Sequence, residues 1–301
     1  MDKPSFIDTN VELKNMTTFK AGGPAEFFCE PSSIDELKEA LSYAKKENLK
    51  ITVLGAGSNV LISDDGIKGL VIRLGRNFST VYTREENENS GKVYGEAGAM
   101  LSSLALHAVK LSLKGAEFAC GIPGSVGGAV FMNAGAYGGE MKHIISSVDY
   151  LDENFELRNI KVEDCDFGYR HSIFTMNPSW IVVGCELSLE KGVKDEIESL
   201  VNDLKAKRIK SQPLDVPSAG STFKRPEGYF AGKLIEDSNL KGFALDDSGA
   251  QVSSKHAGFV VNNKGTASAS DILKLISYVS DKVYEDSGVR LEPEVRMLGF
   301  S

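Results

Sequence analysis

Apolar residues recur along this chain with two periods. Ile34, Leu37, Leu41 and Ala44 follow at helical spacing, behind Ser33-Ile34-Asp35-Glu36, which reads as a capping box. Leu101, Leu104, Ala105, Ala108 and Val109 trace a second helical face with Gly115 as its stop. Ile197, Leu200, Val201 and Leu204 trace a third, and Ile272, Leu275, Ile276 and Val279 a fourth; a short helix is expected near Leu234. Strands are predicted at 51–54, 60–62, 70–72, 145–151, 180–189, 258–261 and 290–298. Residues 85–91 are polar and turn-rich, a boundary or a hairpin tip. Pro213 and Pro217 break the chain and mark the last domain boundary. No internal repeat or low-complexity segment interrupts this order. The pattern predicts a mixed α and β protein segregated into subdomains.

Composition narrows the picture. A chain of 301 residues suggests about two domains and needs no disulfide or metal staple. A net charge of -8 argues against a broad nucleic-acid surface, so an anionic ligand is met by a few placed cations or by backbone N–H groups. Cys29, Cys120, Cys165 and Cys185 form no CxxC, which predicts neither a zinc site nor a disulfide framework. The start, Met1-Asp2-Lys3-Pro4-Ser5, lacks a basic head and apolar stretch, and no run approaches the ~18 apolar residues of a membrane span. These features predict a cytoplasmic protein without membrane insertion.

Glycine is the unusual component: 30 residues, eight of them between Gly115 and Gly139. Gly55-Ala56-Gly57-Ser58-Asn59 begins like a dinucleotide fingerprint, but Val60 stands where the third glycine belongs and a strand follows, so a Rossmann unit is excluded. It is either a tight β-turn or a nest of N–H groups for phosphate. The stretch from Cys120 to Gly138 carries Gly121, Ile122, Pro123, Gly124, Ser125, Gly127, Gly128, Ala129, Asn133 and Gly135. It is neither a Walker loop nor a hydrolase elbow. So many small residues imply close approach of another backbone or of a ligand. Phe167-Gly168-Tyr169-Arg170-His171-Ser172 offers a fixed cation, or a surface arginine. His107, His143 and His256 show no ligand spacing, and no metal is expected. Pro217-Ser218-Ala219-Gly220-Ser221-Thr222-Phe223-Lys224-Arg225-Pro226 sets Ser221 ahead of two cations; Ser221 is a proton donor or a turn serine. Over 290–298, strand alternation puts Leu291, Pro293, Val295 and Met297 on one face and Arg290, Glu292, Glu294 and Arg296 on the other, which is a salt-bridged face or a polar site lining. Pro293 restricts the segment to an edge.

In this order the segments resemble the UDP-N-acetylenolpyruvoylglucosamine reductase (UDP-N-acetylmuramate dehydrogenase) family. The likeness runs from Asn15-Met16-Thr17-Thr18-Phe19 and Gly22-Gly23-Pro24-Ala25 through the two Gly-rich segments, Gly168-Tyr169-Arg170 and Gly220-Ser221-Thr222-Phe223-Lys224, to Leu291-Glu292-Pro293-Glu294-Val295-Arg296. The resemblance implies an α+β chain: a two-subdomain FAD-binding fold, not Rossmann, over 1–78 and 79–208. A C-terminal α+β substrate-binding domain would span 209–301, its last strand returning toward the FAD site. It implies non-covalent FAD held at positions 55–59, 121–125, 127–129, 133 and 135, NADPH as hydride donor and a UDP-sugar substrate. Arg170, Ser221 and Glu294 are then the catalytic set, and Tyr169 and Lys224 contact substrate. No obligate protein partner and no nucleic acid is implied. The interval between Arg170 and Ser221 is too short for the Tyr-bearing loop that some members insert, so the chain resembles the shorter type. The basic run Lys205, Lys207, Arg208 and Lys210 is then a cover for the UDP diphosphate, or a solvated helix end. Two rivals stand beside this reading. One is a flavin oxidase with covalent FAD, for which Cys120 and His107 are attachment points; the other is a non-catalytic UDP-sugar binding module.

Overall fold

A computed structural model describes residues 3–300; the opening Met1-Asp2, read above for a leader, and Ser301 lie outside the described residues. The chain forms two compact units, each assembled from separated segments. The first comprises residues up to Ile7, Cys29–Ala56 and Val71–Arg208; the second comprises Asp8–Phe28, Gly57–Leu70 and the chain from Ile209 onward.

Helices form where one face can be buried. Helix Ile34–Lys46 starts at Ser33, whose Oγ accepts from Glu36 N at 3.1 Å. The expected capping box is displaced by one residue. Ser32 offers both a backbone and a hydroxyl donor, and the Glu36 carboxylate accepts from them at 2.6 and 2.7 Å. Helix Leu101–Lys110 buries all five predicted positions. It ends well before Gly115, because Ser112 already takes a left-handed φ of 55°. Helix Ala269–Ser287 buries Ile272, Leu275, Ile276 and Val279 between a Ser268–Asp271 capping box and Gly288 at φ 72°. Helix Ala231–Asp237 is the short one expected near Leu234. Helix Lys194–Ser211 departs from expectation: of its predicted stripe only Ile197 is buried, and Leu200 is exposed. That stripe is narrow and flanked by Glu196, Glu198, Asp203 and Lys205. Among the described residues no helix is long and apolar enough to cross a membrane.

The first unit is built on a five-stranded antiparallel sheet in the order Leu157–Lys161, Ile145–Leu151, Ile181–Glu190, Ser90–Glu96, Val81–Glu86. Residues 85–91 are thus a hairpin tip, where Asn87 Oδ1 accepts from Asn89 N and Ser90 N at 2.8 and 2.9 Å. Val93, Val148, Cys185 and Leu187 are buried in this sheet. Helix Leu101–Lys110 packs on it, as does a short helix, Val126–Phe131. The latter lies inside the Gly-rich stretch, where no regular element was expected.

The second unit packs helices Ala231–Asp237 and Ala269–Ser287 against the hairpin Ala250–Val252/Val260–Asn262. Phe19, Leu61, Phe223, Ile235, Leu291 and Val295 share its core. The strand expected over 290–298 shrinks to Arg296–Leu298, which runs parallel to Val60–Ile62 with Arg296 opposite Val60. Pro293 has no N–H, and its neighbours bond elsewhere: Lys224 N donates to Glu292 O and Glu294 N to Thr222 O, both at 2.8 Å. The even alternation of faces fails with it. Leu291 and Val295 are buried, while Pro293, assigned to the same face, is exposed.

Candidate functional site

The Gly-rich segments first satisfy the protein itself. A Cβ at Gly55 would run into Ser125 Oγ, so Gly55 and Ser125 abut within the first unit. Gly57, at φ 66°, leaves no room for a Cβ against Met16 O, and its carbonyl accepts from Thr18 N at 3.0 Å. Gly127 would place a Cβ 2.9 Å from that of Ala97, and Gly135 one 2.7 Å from Gly139 O. Ala129 is buried. At the start of the short helix, Val126 N and Gly127 N donate to Ala99 O and Ala97 O at 2.8 Å, and Gly128 N to Ser125 Oγ at 3.4 Å. The first N–H groups of that helix are thus engaged within the protein. Gly121, Pro123 and Gly128 are exposed, and Ser125 Oγ is the one neighbour a Cβ on Gly128 would meet, at 3.4 Å. A flat cofactor fits such a surface, which lacks side chains where it must come close.

Asn133, expected at the cofactor, has its side-chain amide engaged within the protein. It is 1% exposed, and its amide donates to Glu140 Oε2 and Gly168 O, each at 2.9 Å, while its oxygen accepts from Lys142 N at 3.0 Å. Gly168 opens the turn that carries Tyr169 and Arg170, closed by reciprocal Gly168–His171 backbone bonds of 3.1 and 3.3 Å. Arg170 sits at φ 55°, a conformation glycine would adopt with less strain. Its guanidinium lies 5.2 Å from the centroid of the half-exposed Tyr169 ring. Ser172, fully buried, ties the far side of the turn to Phe131 O at 2.7 Å. His171 is absorbed by Asp166 and Thr175, at 3.0 and 2.9 Å.

Ser221, Lys224 and Glu294 lie together in the second unit, and the residue that gathers them is Thr222. This threonine is fully buried; its N donates to Gly258 O at 2.9 Å, its Oγ1 accepts from Val260 N at 2.8 Å, and its O accepts from Glu294 N. Exposed Ser221 therefore projects from a rigid neighbour, after Gly220 at φ 76°. Asn59 clamps Glu294 from the other side: its amide donates to Glu294 O at 3.1 Å and its carbonyl accepts from Arg296 N at 3.0 Å. Lys224 Nζ pairs with Glu292 Oε2 at 3.0 Å. Neither Thr222 nor the clamping role of Asn59 carried a local mark in the sequence.

In the basic run, Lys205, Lys207 and Lys210 are exposed and Arg208 is half-buried. Arg208 Nε lies 3.1 Å from where a Gly121 Cβ would stand, and its guanidinium is 5.9 Å from the Tyr137 centroid. Burial holds the guanidinium below its ordinary pKa, with Tyr137 pulling the other way. Arg208 is thus a first-unit cation beside the 121–125 turn. Of the two proposed attachment points, burial pushes the Cys120 thiol up to about 11, with Glu117 adding to the shift, which leaves little thiolate at neutral pH. His107 Nε2 is engaged with Thr83 Oγ1 at 2.9 Å.

This architecture has known counterparts. Residues 25–160 match the family described as FAD binding domain. Residues 212–298 match the family described as UDP-N-acetylenolpyruvoylglucosamine reductase, C-terminal domain. The chain is 47% identical to the UDP-N-acetylenolpyruvoylglucosamine reductase of Agathobacter rectalis, across 95% of this chain and 92% of that protein. It is 48% identical to that of Clostridioides difficile, across 97% and 93%. The crystal structure of the Thermus caldophilus enzyme of that name superposes with a TM-score of 0.82 at 35% identity, covering 97% of this chain and all of that one. The chain belongs to the UDP-N-acetylenolpyruvoylglucosamine reductase family.

Proposed function

We propose that the protein is an FAD-dependent reductase that uses NADPH to reduce the enolpyruvyl group of UDP-N-acetylglucosamine enolpyruvate to UDP-N-acetylmuramate. The product serves peptidoglycan precursor synthesis, in the cytoplasm. The anchoring of Glu294 on Thr222, beside Ser221, supports this reading most directly, since it holds a hydroxyl and a carboxylate residue on one rigid support. Along the chain, 1–78 and 79–208 serve the cofactor and 209–301 the substrate; segments 8–28 and 57–70 group with the last of these by compactness. The 55–59 and 121–125 turns and Gly128 hold FAD non-covalently, with Gly127, Ala129, Asn133 and Gly135 as their scaffold.

When bound, FAD supplies hydride transfer from NADPH to the enolpyruvyl methylene carbon. Negative charge then develops on the adjoining carbon and spreads into the substrate carboxylate. Arg170, fixed in its turn, stabilises that charge; a preorganised cation needs no reorganisation as the charge forms. Ser221 donates the proton to the same carbon. Glu294 orients the hydroxyl or a water by hydrogen bonding, and Tyr169 and Lys224 hold the substrate.

Ser221→Ala tests this by separating two half-reactions in stopped-flow absorbance. Bleaching of the flavin by NADPH continues at a near-normal rate. Recovery of the colour on adding enolpyruvyl substrate slows by about 10²–10⁴-fold, as for loss of a positioned proton donor, and Ser221→Cys restores part of it. Equal slowing of both phases would make Ser221 a structural residue.

A further inference from the structure

The turn that carries Arg170 is closed by long bonds. The reciprocal Gly168–His171 pair stands at 3.1 and 3.3 Å, beyond the usual ~2.9–3.0 Å of a backbone bond. The chain entering the turn is strained as well, since Asp166 sits at φ 47°. The ring of His171 joins the two ends. Its Nε2 lies 3.0 Å from Asp166 Oδ2, before the turn. Its Nδ1 lies 2.9 Å from Thr175 Oγ1, in the short helix Ile173–Met176 after it. A Cβ on Gly168 would meet His171 Cβ at 3.5 Å and its ring at 3.8 Å, so the imidazole lies over the turn itself. One side chain thus cross-links residues 166 and 175 around Arg170.

Donors and acceptors decide which form of the ring fits. Thr175 Oγ1 gives its one hydrogen to Ser172 O, at 2.7 Å, so toward Nδ1 it only accepts. A carboxylate at Asp166 only accepts too. Both ring nitrogens therefore need a hydrogen, and the imidazolium alone has two. In the neutral ring one contact fails: a lone pair faces the carboxylate, or the Thr175 hydroxyl turns away from Ser172 O. Asp166 is the charged group that faces the ring, Arg170 is its neighbour along the chain, and Thr175 and Gly168 bring no charge. We propose that His171 is a positioning residue for Arg170, and that its second ring proton closes the clamp on the turn. The role given to Arg170 rests on the reductase reading above. Histidine changes charge between about pH 5 and 8, so the clamp is complete at the acid end of that range and lost toward the alkaline end. The pair with Asp166 is partly in water, its side chains 34% and 75% accessible, so the effect is that of one modest bond. It falls on flavin reoxidation by the enolpyruvyl substrate, the step that needs Arg170 in place, and not on reduction by NADPH.

The test is stopped-flow absorbance of the FAD-loaded protein between about pH 5.5 and 8.5, with the two flavin phases followed separately. Asp166→Asn is the informative variant. An asparagine amide donates to Nε2, so a neutral ring protonated on Nδ1 satisfies both partners without a second proton. The exposed site at φ 47° accepts asparagine as readily as aspartate, so the fold is kept. The limiting rate of reoxidation in the wild type, divided by that in Asp166→Asn, falls about three- to ten-fold from the acid to the alkaline end, the scale of one hydrogen bond. The same ratio for the NADPH phase, and for half-saturation by substrate, stays constant. His171→Gln, uncharged at every pH, keeps a constant ratio to Asp166→Asn. Nitrogen NMR reads the ring directly, with both His171 nitrogens protonated at the acid end. A reoxidation ratio independent of pH would overturn the proposal, as would an equal change in the NADPH phase or a ring with one hydrogen at the acid end. Failure of the reductase reading shows separately, as wild-type flavin that the enolpyruvyl substrate reoxidises at no pH while the ring still carries both hydrogens; Arg170 then has no step to serve, and both readings fall.

Discussion

At Arg170 the backbone takes a left-handed conformation that costs a side-chain-bearing residue roughly 1–2 kcal/mol. The turn tolerates this because its neighbours are tied down: Gly168 O to buried Asn133, Ser172 Oγ to Phe131 O. Strain held by such ties is in keeping with the proposal that Arg170 is kept for its side chain. Arg170→Gly separates the two contributions. The variant melts at or above the wild-type temperature, because glycine adopts φ 55° freely, yet its flavin recovers its colour with enolpyruvyl substrate at least about a hundred-fold more slowly. A drop in melting temperature would show that the guanidinium holds the fold together. Asn133, at φ 45° and 1% exposed, is tied to Glu140 Oε2, Gly168 O and Lys142 N, partners that its residue type did not foretell.

Among the elements, helix Val126–Phe131 distinguishes two glycines that look alike in sequence. A side chain at Gly127 meets Ala97, while at Gly128 it meets only Ser125 Oγ at 3.4 Å. Gly127→Val therefore lowers the denaturant midpoint, corresponding to a loss of about 1–3 kcal/mol of stability, as is typical of overpacking. Gly128→Val stays folded and loses flavin, read as the absorbance that co-purifies with the protein. Full flavin occupancy in Gly128→Val would remove that position from the cofactor surface. Helix Ala269–Ser287 carries a different expectation. Asp64 reaches its first turn from another segment, accepting from Ala269 N at 2.8 Å, Ser270 N at 2.9 Å and Ser270 Oγ at 2.6 Å. Partial burial raises its pKa, but these three donors outweigh that and hold it below the usual carboxylate range. A carboxyl depressed on folding contributes stability that is present above its unfolded pKa, about 3.9, and is lost as pH falls through the folded value. Asp64→Asn should cost about 1 kcal/mol in urea melts near neutrality. The gap from wild type should close below about pH 4; a gap unchanged at pH 3 would rule out the charge as its source.

Over the whole molecule, elements that bury one face were legible from their period. The helices at 34–46, 101–110 and 269–287, the strand 145–151 and the 85–91 hairpin tip all came from local pattern. The narrow stripe of Lys194–Ser211 misled because apolar spacing does not reveal whether anything packs on it. Long-range ties leave no local mark: the grouping of 8–28 and 57–70 with the C-terminal third, the Thr222 anchor, and the Asn59 clamp on Glu294. Of the proposed site, Arg170, Ser221 and Glu294 came from the order of motifs, while Thr222 and the Asn59 clamp on Glu294 had no such signal. The parallel pairing of Arg296–Leu298 with Val60–Ile62 reaches further than structure alone. The two partners are separated by roughly 240 residues of chain, and a ribosome adding about 5–20 residues each second needs roughly 12–50 s to make the second after the first. For that interval the nascent N-terminal segments of the second unit wait with an open strand edge, while the sheet of the first unit is complete once residue 190 has emerged. Folding on the ribosome would then run out of the order in which the chain is written, with the sheet of the first unit ready before the segment that carries Glu294 exists.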